Sequence, residues 1–366
     1  MTTKNNFDAD MKQEDPNMYR KDGYHPVTIG ELYYNRYTVV RKLGWGAYST
    51  VWLIWDLQDL RFKALKIVKS ASNATKAAMN EIQLLERART RKGKIVQLLD
   101  SFKISGVNGT HVCMVLEVLG DNLLKLIIRY DYKGIPLVHV RSIIRQVLEG
   151  LDYLHTKCNI IHTDIKPENV CLDENEICKF ASVHWQKLGL KSPKNESKRG
   201  SMSITIADLG NGCWVDRQFS DVIQTRPYRS PEVILGVGYG PSADIWSTAC
   251  MAFELATGHY LFPPFFHNYK SQDEDHLARI IRLLGCIPKR IAFSNSYSRT
   301  FFTADGKLRN FRRLKRRNIF ELLTREFKWD VNEACRFADF LQPMLVIDPN
   351  NRYSAKDSLK HSWLNL

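Results

Sequence analysis

The chain has 366 residues, 44% of them apolar, with 53 Lys and Arg against 39 Asp and Glu. That length allows one large two-lobed domain or two ordinary ones with a real core. The first 25 residues are polar and charged rather than signal-like, and no apolar run reaches the roughly 20 residues of a spanning helix. A soluble protein of the cytosol or nucleus is expected, without a membrane partner. The net charge of +14 favours anionic partners such as nucleotides, nucleic acid or acidic proteins. Eight cysteines are scattered without a C-x-x-C pair or a metal-spaced His/Cys cluster, which points to reduced packing residues.

Residues 1–23 form a polar tail with little to bury. From Arg36 the pattern turns to strands, at 37–43, 50–55 and 62–68, each short, β-branched or aromatic and bounded by Gly or Asp. Between the first two lies Leu43-Gly44-Trp45-Gly46-Ala47-Tyr48-Ser49-Thr50-Val51. Two glycines there let backbone amides close over phosphates without side-chain clash. Alone this would be a tight hairpin, since Ser49 stands where a third glycine is usual. The third strand carries Lys66, and a helix expected over 76–89, with Met79, Ile82 and Leu85 on its inner face, carries Glu81. A lysine in an apolar strand needs a partner, and Glu81 is the one that would aim Lys66 at the α- and β-phosphates. Strands at 95–102 and 111–118 follow. Adenine is expected on backbone groups of Glu117, Val118 and Leu119.

After Gly120 the periodicity is mainly helical, at 122–130, 137–156, 242–257, 275–284 and in four shorter pieces toward the end. A β-rich first third before a helix-rich remainder makes an α+β layout with a cleft between lobes. Ile161-His162-Thr163-Asp164-Ile165-Lys166-Pro167-Glu168-Asn169 has the layout of a phosphoryl-transfer catalytic loop, H-R-D-x-K-x-x-N with Thr163 in place of arginine. Asp164 would accept the proton of an attacking hydroxyl, Lys166 would neutralise the moving phosphoryl group, and Asn169 would hold Mg²⁺. Residues 173–202 break the rhythm and are expected as an insertion loop, with a helical turn at 183–188. Asp208, delivered by the strand Ile204-Thr205-Ile206, is the second metal station, and Leu209 replaces the usual Phe. Glu232 closes the following segment and needs a cation, for which Arg352 is available. Asp244 is expected to accept backbone hydrogen bonds from the catalytic loop. Residues 307–328 hold a run of arginines and lysines that would form a basic face, either solvated or open to polyanions.

Six such stations in order resemble a eukaryotic-type protein kinase: two-lobed, ATP- and Mg²⁺-dependent, with lobes at 24–118 and 119–366. Narrower wording, in Gly23-Tyr24-His25-Pro26-Val27, Arg41-Lys42-Leu43-Gly44-Trp45-Gly46, Ser142-Ile143-Ile144-Arg145-Gln146-Val147-Leu148 and 244–258, is similar to the serine/arginine-rich (SR) protein kinase family of the CMGC group. That resemblance implies a monomeric serine kinase for Arg/Ser-rich splicing factors, shuttling between cytoplasm and nucleus. Thr163 leaves no arginine for a phosphorylated loop to order, so activity without loop phosphorylation at Ser220 or Thr225 is expected. The family carries a far longer spacer after the catalytic loop. Its acidic docking groove is also rewritten here: Asp275 keeps an acid, His259 and Arg282 stand at acidic positions, and Glu326 at a lysine position. Two other readings remain open, a CMGC kinase with other substrates and a pseudokinase scaffold acting through 307–328. The second would have no need of all six of Lys66, Glu81, Asp164, Lys166, Asn169 and Asp208.

Overall fold

A computed structural model describes residues 13–90, 94–173, 202–264, 271–311 and 314–365. The chain divides into two compact units, Met1–Arg89 with Val96–Val118, and Thr90–Ile95 with Leu119–Leu366.

The first unit is a six-stranded antiparallel sheet. Its strands β1 (Leu32–Tyr33), β2 (Tyr37–Gly46), β3 (Ser49–Asp56), β4 (Arg61–Val68), β5 (Leu98–Gly106) and β6 (Gly109–Leu116) lie in the order β1-β2-β3-β4-β6-β5. Alternation explains its core: Tyr37, Val39, Trp52, Ile54, Leu65, Ile67, Cys113 and Val115 pack from one side of the pleat. The β2 and β3 strands reach further toward the glycines than the apolar pattern suggests, with Trp45 paired to Thr50 and Gly46 to Ser49. Helix α1 (Ser72–Arg87) starts four residues before its expected position. It buries Ala74, Ala78, Glu81, Ile82 and Leu85, whereas Met79, expected inside, is exposed. Two alanines allow a closer approach than a methionine stripe would, so the inner face runs one position earlier.

Residues 13–23, expected as part of a loose tail, include a short 3-10 turn at Pro16–Met18 and bury Glu14, which is only 4% exposed. Charge without visible apolar content hid that packing.

The second unit is helical. Helices α2 (Leu123–Arg129) and α3 (Leu137–Tyr153) precede two small sheets, in which β7 (Ile160–Ile161) pairs with β10 (Cys213–Trp214) and β8 (Val170–Leu172) with β9 (Ile204–Ile206). Asn122 caps α2 by accepting the Lys125 N–H. The stretch expected to prolong α3 to Thr156 widens instead into a π turn, Leu154–Cys158, ended by Asn159 at φ +57°. Asparagine tolerates that left-handed geometry, and the turn aims the chain into β7.

Helix α4 (Pro231–Ile234) follows the segment end, and α5 (Ser242–Thr257) is buried on every side from Ala243 to Thr257. A helix buried on every side in this way belongs inside a core. Helix α6 (Gln272–Leu284) is capped by Ser271 and starts three residues before its expected position. Among the described residues five further helices follow rather than four: α7 (Lys289–Ala292), α8 (Ser296–Arg299), α9 (Ile319–Arg325), α10 (Val331–Met344) and α11 (Ala355–Ser358). The helical turn expected at 183–188, most of the insertion loop, and Arg312 and Arg313 of the basic run lie outside the described residues.

One buried ion pair ties α4 to the chain between α10 and α11. Arg352 donates to both carboxylate oxygens of Glu232, at 2.7 and 2.8 Å, with both side chains fully buried. Its remaining donors go to the Ser242, Val346 and Ile347 carbonyls, so the fork is satisfied rather than merely neutralised.

Candidate active site

In the first unit, Lys66 sits on β4 opposite Val51 of β3 and Met114 of β6. Its Nζ donates to Glu81 Oε1 and Oε2 at 2.7 and 2.9 Å. Glu81 is 4% exposed, so its charge depends on this cation. Leu43, Gly44, Trp45 and Gly46 belong to the end of β2, and Ser49, Thr50 and Val51 to the start of β3, with Ala47 and Tyr48 exposed at the turn. A Cβ added at Gly44 or Gly46 would meet nothing within 4 Å. Packing therefore does not require glycine at either position, and what they keep free is the space beside the backbone. Glu117 exchanges hydrogen bonds with Gln97: its amide donates to the Gln97 carbonyl, and its Oε1 accepts the Gln97 N–H at 3.0 Å. Val118 ends this unit and Leu119 begins the second.

In the second unit the loop after β7 is built on Asp244, which is fully buried in the first turn of α5. Its carboxylate accepts the His162 N–H at 2.9 Å and the Thr163 N–H at 2.8 Å, and bonds His155 Nε2 at 2.8 Å. Thr163 is held at φ +70°, a strained value for a β-branched residue, and its hydroxyl donates to the Asn211 carbonyl at 2.9 Å. His162 Nε2 bonds the Ala207 carbonyl while its Nδ1 accepts the Asp164 N–H, which sets one neutral tautomer.

Asp164 is 7% exposed, and both of its oxygens are engaged. Oδ2 accepts Lys166 Nζ at 2.7 Å, and Oδ1 accepts the Thr225 hydroxyl at 2.6 Å and the Thr225 N–H at 3.1 Å. Lys166 also reaches Thr225 Oγ1 at 2.9 Å. Asn169 Nδ2 donates to the Asp164 carbonyl at 2.9 Å, which leaves Oδ1 as the amide's ligating end. The β8–β9 ladder sets Ala207 N–H on the Asn169 carbonyl at 2.8 Å, and Asp208 follows directly at φ +64°. An amide oxygen and a carboxylate suit Mg²⁺, which takes few protein oxygens and fills its octahedron with phosphate and water. Among the described residues no cluster of three or more His, Cys, Asp or Glu could hold a metal.

Sequence reasoning missed one group. Gln224, at φ +66° and 6% exposed, donates to the Ala243 carbonyl and the Ser247 hydroxyl, both at 2.9 Å. Its Oε1 accepts the Ser230 N–H and hydroxyl, and its carbonyl accepts from Arg229. The end of the segment is thus held by an uncharged amide that satisfies neighbours on both sides. Thr225, considered as a phosphorylation position from sequence, has its hydroxyl between Asp164 and Lys166. A phosphate there would set two negative charges against Asp164.

Residues 37–364 match the family described as protein kinase domain. SRSF protein kinase 3 of Mus musculus is 40% identical over 97% of this chain and 91% of its own length. The serine/threonine-protein kinase SRPK of Physarum polycephalum is 41% identical over 97% and 92%, and the protein kinase dsk1 of Schizosaccharomyces pombe 36% identical over 96% and 85%. The chain belongs to the serine/arginine-rich protein kinase family. It has the two-lobed α+β kinase fold and is an ATP-dependent serine/threonine kinase of the CMGC group, whose catalysis uses Mg²⁺. The mouse alignment extends over 514 positions for a chain of 366, so that relative carries segments this kinase lacks.

The positions read as a docking groove are engaged differently from an open acidic surface. Asp275 accepts Arg279 Nε at 2.8 Å and is 7% exposed. Glu326 pairs with Arg317, His259 Nδ1 bonds the Thr257 carbonyl, and Arg282 is exposed.

Near the segment end, Glu254 of α5 is 4% exposed, and burial pushes its carboxyl up to about 7. The nearby Glu168 carboxylate adds to the rise, while the Tyr228 hydroxyl, donating at 2.5 Å, opposes it. A folded pKa above the unfolded 4.5 means that this group's stabilisation is complete below about 4.5 and is lost as pH rises through about 7. Unfolding free energy should therefore fall between pH 5 and 8 by an amount on the order of 2–3 kcal/mol from this group. Urea titrations of wild type and Glu254→Gln at the two pH values check it. The variant should lose most of that slope, and an unchanged slope would refute the assignment.

Proposed function

We propose that this kinase transfers the ATP γ-phosphate to serines of Arg/Ser-rich proteins such as splicing factors. The observation that carries the reading is its likeness over nearly the whole chain to relatives whose names contain SRSF. A monomer working in cytoplasm and nucleus belongs to the same reading.

In this mechanism Asp164 accepts the proton of the attacking serine hydroxyl. The bond from the γ-phosphorus to the β,γ-bridging oxygen breaks as the bond to the serine oxygen forms. Lys166 offsets the charge on the transferring group, and its bond to Asp164 keeps the two aligned. Thr225 fixes the Asp164 carboxylate from the other side. Asn169 and Asp208 are the residues that would hold Mg²⁺, which when bound neutralises charge on the phosphate oxygens. Lys66, oriented by Glu81, takes the α- and β-phosphates, residues 43–51 cover them, and Glu117, Val118 and Leu119 take the adenine. The lobe boundaries at 24–118 and 119–366, with a polar tail at 1–23 and an insertion at 173–202, complete the reading. The Asp164–Lys166–Thr225 contacts, made among unphosphorylated side chains, support activity without loop phosphorylation.

Unmodified recombinant protein should phosphorylate an Arg-Ser repeat peptide and turn over a proline-directed serine peptide at least about tenfold more slowly. Asp164→Asn should lose at least about a thousandfold in kcat. Equal turnover of the two peptides would favour a CMGC kinase with other substrates, and wild-type turnover by Asp164→Asn would favour a scaffold.

A specific observation keeps the first alternative in play. With Asp275 tied to Arg279 and Arg282 exposed, the groove attracts arginine-rich chains weakly; each exposed charge is worth about 0.2–1 kcal/mol. Docking is accordingly less processive. Arg282→Glu should tighten the Arg-Ser peptide by about two- to tenfold in direct binding, and equal affinity would show that the groove is not used.

A further inference from the structure

The glycine-rich turn lies exposed at the end of the β2–β3 hairpin. Residues 45–48 are exposed, no Cβ at Gly44 or Gly46 would touch anything, and β2 and β3 slip register twice on the way to the turn. A hairpin tip of this kind moves freely unless something outside the ladder holds it. Here something does, and it comes from the chain ahead of the first strand. The Tyr24 hydroxyl donates to the Gly46 carbonyl at 2.6 Å.

Tyr24 is itself anchored. It is 2% exposed, its ring lies against Tyr19 at 5.5 Å and beneath Lys69 Nζ at 4.3 Å, and its carbonyl accepts Asn108 Nδ2 at 2.7 Å. The Gly23 carbonyl accepts the Ser70 N–H, and the Asp22 N–H donates to the Asn108 carbonyl. Gly23 admits no side chain: a Cβ would stand 2.0 Å from the Met18 carbonyl oxygen. Further back, Glu14 is buried and accepts both Lys42 of β2 and the Tyr19 hydroxyl on one oxygen. One short segment therefore grips β2 at Lys42 and at Gly46, four residues apart, and leans on the β5–β6 turn.

We infer that residues 14–25 are a strap that sets the position of the glycine-rich turn over bound phosphates, with Tyr24 as the positioning residue. The inference rests on the reading of residues 43–51 as the phosphate cover. A strap acting through that turn affects phosphate-bearing ligands and spares the nucleoside, whereas general loosening of the unit weakens both. Glu14→Gln, which keeps the side chain's size and removes its charge at the Lys42 end, acts in the same direction.

The test is direct binding of ATP, ADP and adenosine to the full-length kinase, wild type, Tyr24→Phe, Glu14→Gln and Lys66→Ala. Tyr24→Phe keeps the buried ring and removes one hydrogen bond. It should weaken ATP and ADP about fivefold, leave adenosine within twofold, and leave peptide KM unchanged. Glu14→Gln should do the same to a smaller extent. Wild-type ATP affinity in Tyr24→Phe and Glu14→Gln, alongside a loss in Lys66→Ala, would overturn the strap alone. Equal weakening of adenosine and ATP by Tyr24→Phe would reduce its role to packing and also overturn it. Wild-type ATP affinity in both Lys66→Ala and Tyr24→Phe would overturn the phosphate reading and the strap with it.

Discussion

The second unit depends on one fully buried carboxylate. Asp244 receives two consecutive backbone amides, those of His162 and Thr163, and a histidine from the π turn. A threonine at φ +70° carries a backbone cost of about 1–3 kcal/mol. Two charge-assisted hydrogen bonds of about 1.5–3 kcal/mol each exceed it. The strained turn persists for that reason, and it delivers Asp164 into the space shared with Lys166 and Thr225.

From that carboxylate the constraints run outward along α5. Ser247, one turn from Asp244, accepts Gln224 and donates to the Tyr228 carbonyl at 2.9 Å. Arg352 lies 5.0 Å over the Trp246 ring while it grips Glu232. A single buried helix thus positions the loop after β7 from its first turn and the end of the segment from its second. The end of the segment is held by the neutral Gln224 amide and a closed ion pair.

The mutual contact of Asp164, Lys166 and Asn169 was legible in the sequence because acid, lysine and amide fall within six residues of one loop. Lys66 and Glu81 were legible because a lysine in an apolar strand demands a partner. The Gln224 network was not, since an amide's value depends on which groups from Ala243, Ser247 and Ser230 meet it, and no spacing encodes that. Glu14 and Tyr24 were hidden for a related reason. Their segment reads as polar until its charge is matched to Lys42, 28 residues on. Met79 misled because apolar periodicity ranks a large residue above an alanine, while the helix needed Ala74 and Ala78 to sit close to the sheet. Asp275 keeps its acidic character in sequence, yet a neighbour one helical turn on uses it up.

The most direct test of the central claim is kcat for Asp244→Asn, with melting temperature and ADP affinity followed alongside. Asparagine keeps the shape but turns one acceptor into a donor that faces a backbone N–H. If the loop's geometry is held from that carboxylate, kcat should fall about a hundredfold while ADP affinity changes less than twofold. Wild-type kcat in a folded variant would contradict the account.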